Sequence, residues 1–523
     1  MMLIVCALGV LNLFWGEKVP AGGGFGWDGV MYADMVRRID AMIRAGELSG
    51  YYAQRILPAT LVRCMLLGAG APLSVQNIIR GFELYNLALL VGAVWVWKRV
   101  AGNLSLSLAG RWIGFSGIFI NFACSKQAFY YPVLTDVTAL FVAMLLLLFH
   151  VEKRPLALFL TTVVGAFCWP VVSVCGALLL VFLGAQLPQS VIAPAPPTPA
   201  VKPASLLGRV RRAVPALLVL YLMLYLALIW LSPLSGPGLD HGVLALANLV
   251  RPSAVPRLEK LLLLQGSFAL VRQFLTALPS IVGLLVALAM LIGSRSFLPA
   301  VLASLVRTRL PLVALAGAAF LIPALVVRML SNPHIANVSG LFLLVKLILL
   351  PQDGKFFLPV VSLAVFWGPL VLLLALRWGT FCVQARRLGP GVVAVIGISL
   401  LLGLVGEPRF LTLAWPFLVL GVTLDLEGVR TRVSFRYALV IITVVFSQFW
   451  LRINAAPWPQ PDSEGILLFP KQFYFMHLGL WMSWWSYSVQ AVLLALTALW
   501  LRRTLRGAPP DKMGGLAQAG AGD

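Results

Sequence analysis

Apolar runs of roughly 14–23 residues recur along this chain, and charge, glycine and proline collect between them. The runs fall at 2–15, 78–97, 107–123, 134–150, 157–170, 171–186, 214–232, 278–294, 310–330, 357–376, 390–405, 410–424, 437–453 and 478–500. A bilayer core takes about 20 apolar residues per helix, and lipid leaves only helices or closed barrels as spanning structures. The alternating strands of a barrel are not in the pattern. The predicted fold class is all-α, a polytopic membrane helix bundle of about 12–14 spans.

Two kinds of segment break the rhythm. After Asp28 the chain reads as an amphipathic helix: Met31, Met35, Ile39, Met42 and Ile43 form one apolar stripe, and Asp34, Arg37, Arg38, Asp40, Arg44 and Glu47 fill the other sides. That pattern predicts an interface helix lying on the membrane. The apolar stretches 56–71 and 340–350 predict short helices in or on the outer face, because a crossing at either place would spoil the charge alternation that follows.

Charge supplies the orientation. The chain has 523 residues, 60% of them hydrophobic and 11% charged, with a mean hydropathy of +0.95 and a formal net charge of +22. In a soluble protein that charge would suggest nucleic acid. Here the basic residues fall in every second connection: Lys98 and Arg99; Lys153 and Arg154; Lys202 to Arg212; Arg295 to Arg309; Arg377 to Arg387; Arg430 to Arg436; Arg502 to Arg506. The positive-inside rule accounts for them, makes those loops and both termini cytoplasmic, and leaves no nucleic-acid partner to invoke. The expected organisation is an N-terminal membrane module at 1–186 with a first outer loop at 16–77, a Pro-rich cytoplasmic linker at 187–213, a C-terminal membrane module at 214–505 and a disordered tail at 506–523. The six cysteines are scattered through apolar stretches and read as small core residues, not as a disulfide framework.

With that topology, scarce ionisable groups collect on the outer face. Asp28 and Asp34 follow the glycine-rich "GGGFGWDGVMYADM"; Asp136 ends "YYPVLTD" at the mouth of a span; Glu407 and Arg409 share the turn "GEPRF". Arg55 stands in "YYAQRILP" after Tyr52 and Gln54, and Lys126 in "SKQAFYYP". Asp240, Asp353, Asp462 and Glu464 also fall outside, in longer loops. Ionisable groups in or near a membrane are costly, which makes them functional candidates. Each also has a plainer role. Asp34 has Arg37 and Arg38 at i+3 and i+4; Asp28 and Asp136 suit helix caps; Glu407 and Arg409 suit each other, as do Arg80 and Glu83. Arg55 is either an interfacial anchor or a phosphate clamp, since guanidinium bonds phosphate in a bidentate fork. Asp28 differs in having no basic residue within four positions and glycines around it that let the backbone bend sharply. His334 and His477 are lone, and no HExxH, Walker A or GxSxG pattern is present.

Taken together these residues resemble the GT-C superfamily of membrane glycosyltransferases, which take sugars from polyprenyl-phosphate carriers. "GWDGVMYADM" followed by "YYAQRILP" is similar to bacterial predicted glycosyltransferases with a "GYDGQFYY…YRYQRILYP" pattern, and the likeness covers roughly residues 20–150 and, less closely, "EPRFLTLAWPFL" at 407–418. The resemblance implies Asp28 and Asp136 as catalytic acids, Asp28 being the base that deprotonates an acceptor hydroxyl. It implies Arg55 as holder of the lipid phosphate and Arg409 as a basic group near the donor; Asp34, Lys126, Tyr52, Gln54 and Glu407, from the same outer-face segments, are further candidate substrate contacts. It also implies a polyprenyl-phosphate-sugar donor, a cell-envelope glycan or lipid acceptor, surrounding membrane lipids, a bacterial cytoplasmic (inner) membrane location and, where the family uses one, a divalent metal such as Mn²⁺ or Mg²⁺. Val30-Met31-Tyr32 departs from the family's "QFYY" run, which bears on acceptor contacts. The alternatives are a transporter or flippase of lipid-linked sugars, whose ionisable groups belong midway through spans, and a polysaccharide polymerase or ligase.

Overall fold

The computed structural model describes residues 1–192, 267–293, 296–335, 355–427, 433–454, 479 and 482–506. Among them the regular structure is helical, with no strand. Most of the Pro-rich linker, the run at 214–232, the stretch at 340–350, the tail beyond 506, His477 and the four longer-loop acids lie outside the described residues.

Most elements follow the hydrophobic pattern closely. The N-terminal part comprises α1 (Met2–Trp15), α2 (Asp28–Arg44), α3 (Gly50–Ala53), α4 (Ile56–Gly68), α5 (Val75–Asn103), α6 (Leu108–Phe119), α7 (Ala128–Tyr130), α8 (Asp136–Val151), α9 (Pro155–Gly165), α10 (Val171–Val181) and α11 (Gln189–Ile192). Then come α12 (Ser267–Ile292), α13 (Phe297–Val306), α14 (Leu310–Leu330), α15 (Leu358–Trp367), α16 (Leu370–Leu376), α17 (Trp378–Arg387), α18 (Pro390–Leu402), α19 (Trp415–Glu427), α20 (Val433–Ser447) and α21 (Trp484–Arg506). Ser74 and Ser107 cap α5 and α6, their hydroxyls accepting from the Asn77 and Gly110 amides. The run at 357–376 is split because Gly368, at φ +88°, precedes Pro369, which has no amide to donate. Two ten-residue helices were not anticipated, α13 and α17, each inside a connection read as a basic loop; the short α11 likewise opens the segment expected as a Pro-rich linker, and α3 and α7 were not anticipated either.

Among the described residues four helices are long and apolar enough to cross a membrane by length and composition: α5, α14, α21 and residues 272–292 of α12. Nine further apolar helices or helical stretches have 10–17 residues. The chain is thus compatible with a helical membrane bundle. Helices from both sides of the linker share one core. α6 and α8 pack on α19, and α10 on α14 and α18. Trp415 donates its indole N–H to the Gly117 carbonyl at 3.0 Å and stacks on Trp367 at 4.8 Å between centroids.

The amphipathic α2 corrects one expectation. Met35, Ile39 and Met42 are buried inside the protein, on the side packed against α4, so the stripe does not face lipid. α4 instead keeps an uncovered apolar face, with Leu61, Met65 and Leu67 exposed. α2 also kinks at Arg38 (φ −144°, ψ 31°), and Arg63 of α4 donates to the freed carbonyls of Val36 at 2.7 Å and Arg37 at 2.6 Å while its guanidinium meets Asp40 at 3.1 Å.

Several polar contacts join helix ends from distant parts of the chain. Arg99 meets Glu152 at 2.5 Å, Ser107 meets Glu427 at 2.7 Å, His150 contacts the Leu388 carbonyl, and Arg386 reaches the carbonyls of Ile192, Met290 and Leu291, all at one end. The ends carrying Asp28, Arg55, Asp136 and Arg409 gather at the other. Of the six cysteines, four are buried, Cys6 is half-buried and Cys64 exposed; none is paired.

Candidate functional site

The glycine run turns the chain from α1 onto this second end. Gly22, Gly23, Gly24 and Gly26 all have positive φ, between +58° and +96°, a region closed to most side chains. The bend delivers Asp28 as the first residue of α2. Its carboxylate is not a cap: the N-cap is Trp27, which makes no side-chain capping bond. Gly26 and Gly29 lie against Tyr131, whose hydroxyl accepts from the Gly29 amide at 3.2 Å and whose ring takes the edge of Trp27 at 6.1 Å. Asn86 in α5 fixes the Tyr131 loop, donating to the Ala128 and Pro132 carbonyls at 2.9 Å each.

That loop leads into Asp136, the first residue of α8, which is likewise no cap. Both its oxygens are buried without a hydrogen-bond partner among the other described residues, and Asp136 lines a small cavity with Asn86, Tyr131, Trp367 and Thr412. Asp136 lies in the field of Arg409, Glu407 and Arg55.

The turn between α18 and α19 brings Arg409. Gly406 takes the left-handed conformation (φ 71°), its carbonyl accepts from Ser362 at 3.0 Å, and the Pro408 carbonyl accepts from the Trp367 indole at 2.9 Å. So held, Arg409 pairs with Glu407 at 3.1 Å and approaches Asp28 at 3.8 Å, an ion pair too long for a hydrogen bond. Burial opposes the Arg409 charge, but Glu407, Asp136 and Asp28 outweigh it and hold its pKa above the ordinary arginine value. Asp28 is 32% exposed and Arg409 25%, so the pair is open to a ligand.

Arg55 completes the group. It is buried, its guanidinium lies 3.8 Å from the Tyr51 ring centroid and 5.7 Å from that of Trp169, and it donates to the Tyr51 carbonyl at 2.9 Å. Among the described residues no carboxylate lies within 4 Å of it. Tyr52 packs edge-on against Tyr51 and Tyr32. Burial, then the Asp28 charge, pushes the Tyr52 phenol up to about 12; burial raises Tyr51 and Tyr32 too, so all three are neutral at ordinary pH.

The structure therefore brings together Asp28, Asp136, Glu407, Arg409, Arg55 and Tyr52, with Gln54 directly before Arg55 as the C-cap of α3. Two expected contacts stand apart. Asp34 pairs with Arg37 at 3.4 Å and Arg38 at 3.8 Å on the helix surface. Lys126 is buried and pairs with Glu17 at 3.2 Å; Glu17 also accepts from the Ile453 and Asn454 amides. Glu83 pairs with Lys18, not with Arg80. Sequence reasoning missed Tyr32, Tyr131 and Trp169. Tyr32 had a signal, standing at i+4 from Asp28 and hence on the same helix face; Trp169 had only its place in the turn between α9 and α10.

No family model matches this chain, and no curated protein or solved structure matches it.

Proposed function

We propose that the chain is an integral membrane glycosyltransferase of GT-C type in a bacterial cytoplasmic membrane. It moves a sugar from a polyprenyl-phosphate donor to a cell-envelope glycan or lipid on the outer face. The observation that carries this is the convergence of Asp28, Arg55, Asp136 and the Glu407–Arg409 turn, from four separate places in the chain, at one end of an apolar helical bundle.

In the proposed reaction the Asp28 carboxylate takes the proton of the acceptor hydroxyl. The oxygen attacks the anomeric carbon, and the bond from that carbon to the phosphate oxygen breaks with its electron pair leaving on the phosphate. Attack opposite the leaving group inverts the anomeric centre. Arg55 receives the developing phosphate charge in its fork, with Tyr51 and Trp169 behind it. Arg409 fixes the direction of Asp28, and Asp136 and Glu407 hold Arg409. The exposed apolar side of α4, next to Arg55, suits the polyprenyl chain. A divalent ion fits this donor set poorly, because the Arg409 guanidinium already supplies the positive charge among the three carboxylates; no step uses one.

A transporter or flippase would place its ionisable groups midway along spans. Asp28 and Asp136 instead begin their helices, and Arg409 sits in a turn. The test is envelope glycan analysis of a strain lacking the chain. One sugar should be missing and its lipid-linked donor should accumulate. The wild-type chain should restore the sugar and Asp28→Asn should not. An unchanged glycan profile would sink the proposal.

A further inference from the structure

At the other end of the bundle, a cavity of about 340 Å³ opens between the start of α1, the last turns of α5 and the start of α6. That is the size of a small-ligand site. Lys98 and Arg111 line it together with Leu3, Trp97, Leu108 and Trp112, and no acid does. Among the described residues no carboxylate lies within 4 Å of either cation, whereas the adjacent Arg99 is neutralised by Glu152 at 2.5 Å. Arg111 is oriented: its Nε donates to the Leu106 carbonyl at 2.9 Å, which leaves both terminal amino groups for a ligand. The walls are fixed as well. The Trp97 indole donates to the Arg111 carbonyl at 3.0 Å, and Gly114 lets α6 close onto the Trp97 ring. Leu3, Leu108 and Trp112, which line the cavity, are exposed, an apolar and aromatic rim of the kind found at headgroup level.

We infer that this cavity binds the headgroup phosphate of an anionic glycerophospholipid. The phosphate sits between Lys98 and the Arg111 fork, and the acyl chains run along Leu3 and Leu108. Two uncompensated cations select an anion, and the apolar rim selects a lipid over a free ion. The site lies about 20 Å from the Asp28 end by the length of α1, shares no residue with it, and does not depend on the sugar-transfer proposal.

The experiment uses the full chain in neutral detergent and native mass spectrometry, titrating phosphatidylglycerol, phosphatidylcholine and inorganic phosphate separately. Phosphatidylglycerol should bind saturably and the other two should not. Lys98→Gln with Arg111→Gln should weaken it roughly twentyfold or more, at about fivefold per lost cation. If that variant does not fold, Leu3→Glu, at a side chain 84% exposed, puts an acid in the mouth and should weaken binding alone. Equal affinity for phosphatidylcholine, or undiminished phosphatidylglycerol binding in whichever of these variants folds, would overturn the site. Inorganic phosphate that competes at equal affinity would show a small-anion site and overturn the lipid assignment.

Discussion

Replacing Gly26 by alanine should damage the protein far more than replacing Gly23, although both glycines have the same kind of backbone. Gly26 has φ +74° and Gly23 φ +65°, so each alanine costs about 1–2 kcal/mol for the left-handed conformation. Around Gly23 nothing lies within 4 Å. At Gly26 the new methyl would run into the Tyr131 ring, 2.6 Å from its hydroxyl. Forcing that ring aside adds about 1–3 kcal/mol. It also strains the Gly29–Tyr131 bond and the Trp27 contact that seat Asp28, and a shift of about 1 Å at a reacting group can cost on the order of 100-fold in rate. Thermal unfolding in detergent and sugar transfer in membranes measure the two effects. Gly26→Ala should lower both the midpoint and the rate well below those of Gly23→Ala. Indistinguishable midpoints and rates for the two variants would refute the role given to the Gly26–Tyr131 contact.

Other consequences can be checked in the same preparations. Arg63→Ala removes the donors to the Val36 and Arg37 carbonyls at the α2 kink and should lower stability by about 2–3 kcal/mol, with Arg63→Lys intermediate; thermal midpoints decide. Glu17→Gln leaves Lys126 buried without its charge partner, so stability should fall by about 3 kcal/mol and recover in part when Lys126→Met is added; intact stability with lost transfer would instead favour a substrate role for Lys126. The raised Tyr52 pKa means that the folded chain keeps a proton the unfolded chain releases. Its stability contribution is complete below pH 10 and declines as pH rises toward about 12, and Tyr52→Phe should flatten that decline in pH-dependent unfolding.

Helix positions were legible because each apolar run is long and bounded by glycine, proline or charge; α1 and α14 fall on the expected residues. The face of α2 was misjudged because a stripe of Met35, Ile39 and Met42 looks the same whether protein or lipid covers it. α13 and α17 were hidden by the arginines at their ends, which read as loop charge. Local pairs such as Asp34 with Arg37 and Glu407 with Arg409 could be read from spacing, since a helix turn or a tight turn fixes their distance. Pairs made by tertiary packing could not. Nothing in the sequence near Glu83 names Lys18, and nothing near Asp28 names Arg409. The lone acid of the glycine bend finds its partner only when α19 packs on α6 and α8 and α18 on α10.

Release of polyprenyl phosphate from a labelled polyprenyl-phosphate sugar, in membranes carrying equal amounts of wild-type and Asp28→Asn protein, tests the central claim most directly. A positioned general base contributes about 10²–10⁴-fold, so the variant should lose at least 100-fold in rate while its thermal midpoint stays near that of wild type. Full transfer by Asp28→Asn at normal expression would contradict the assignment of Asp28 as the base.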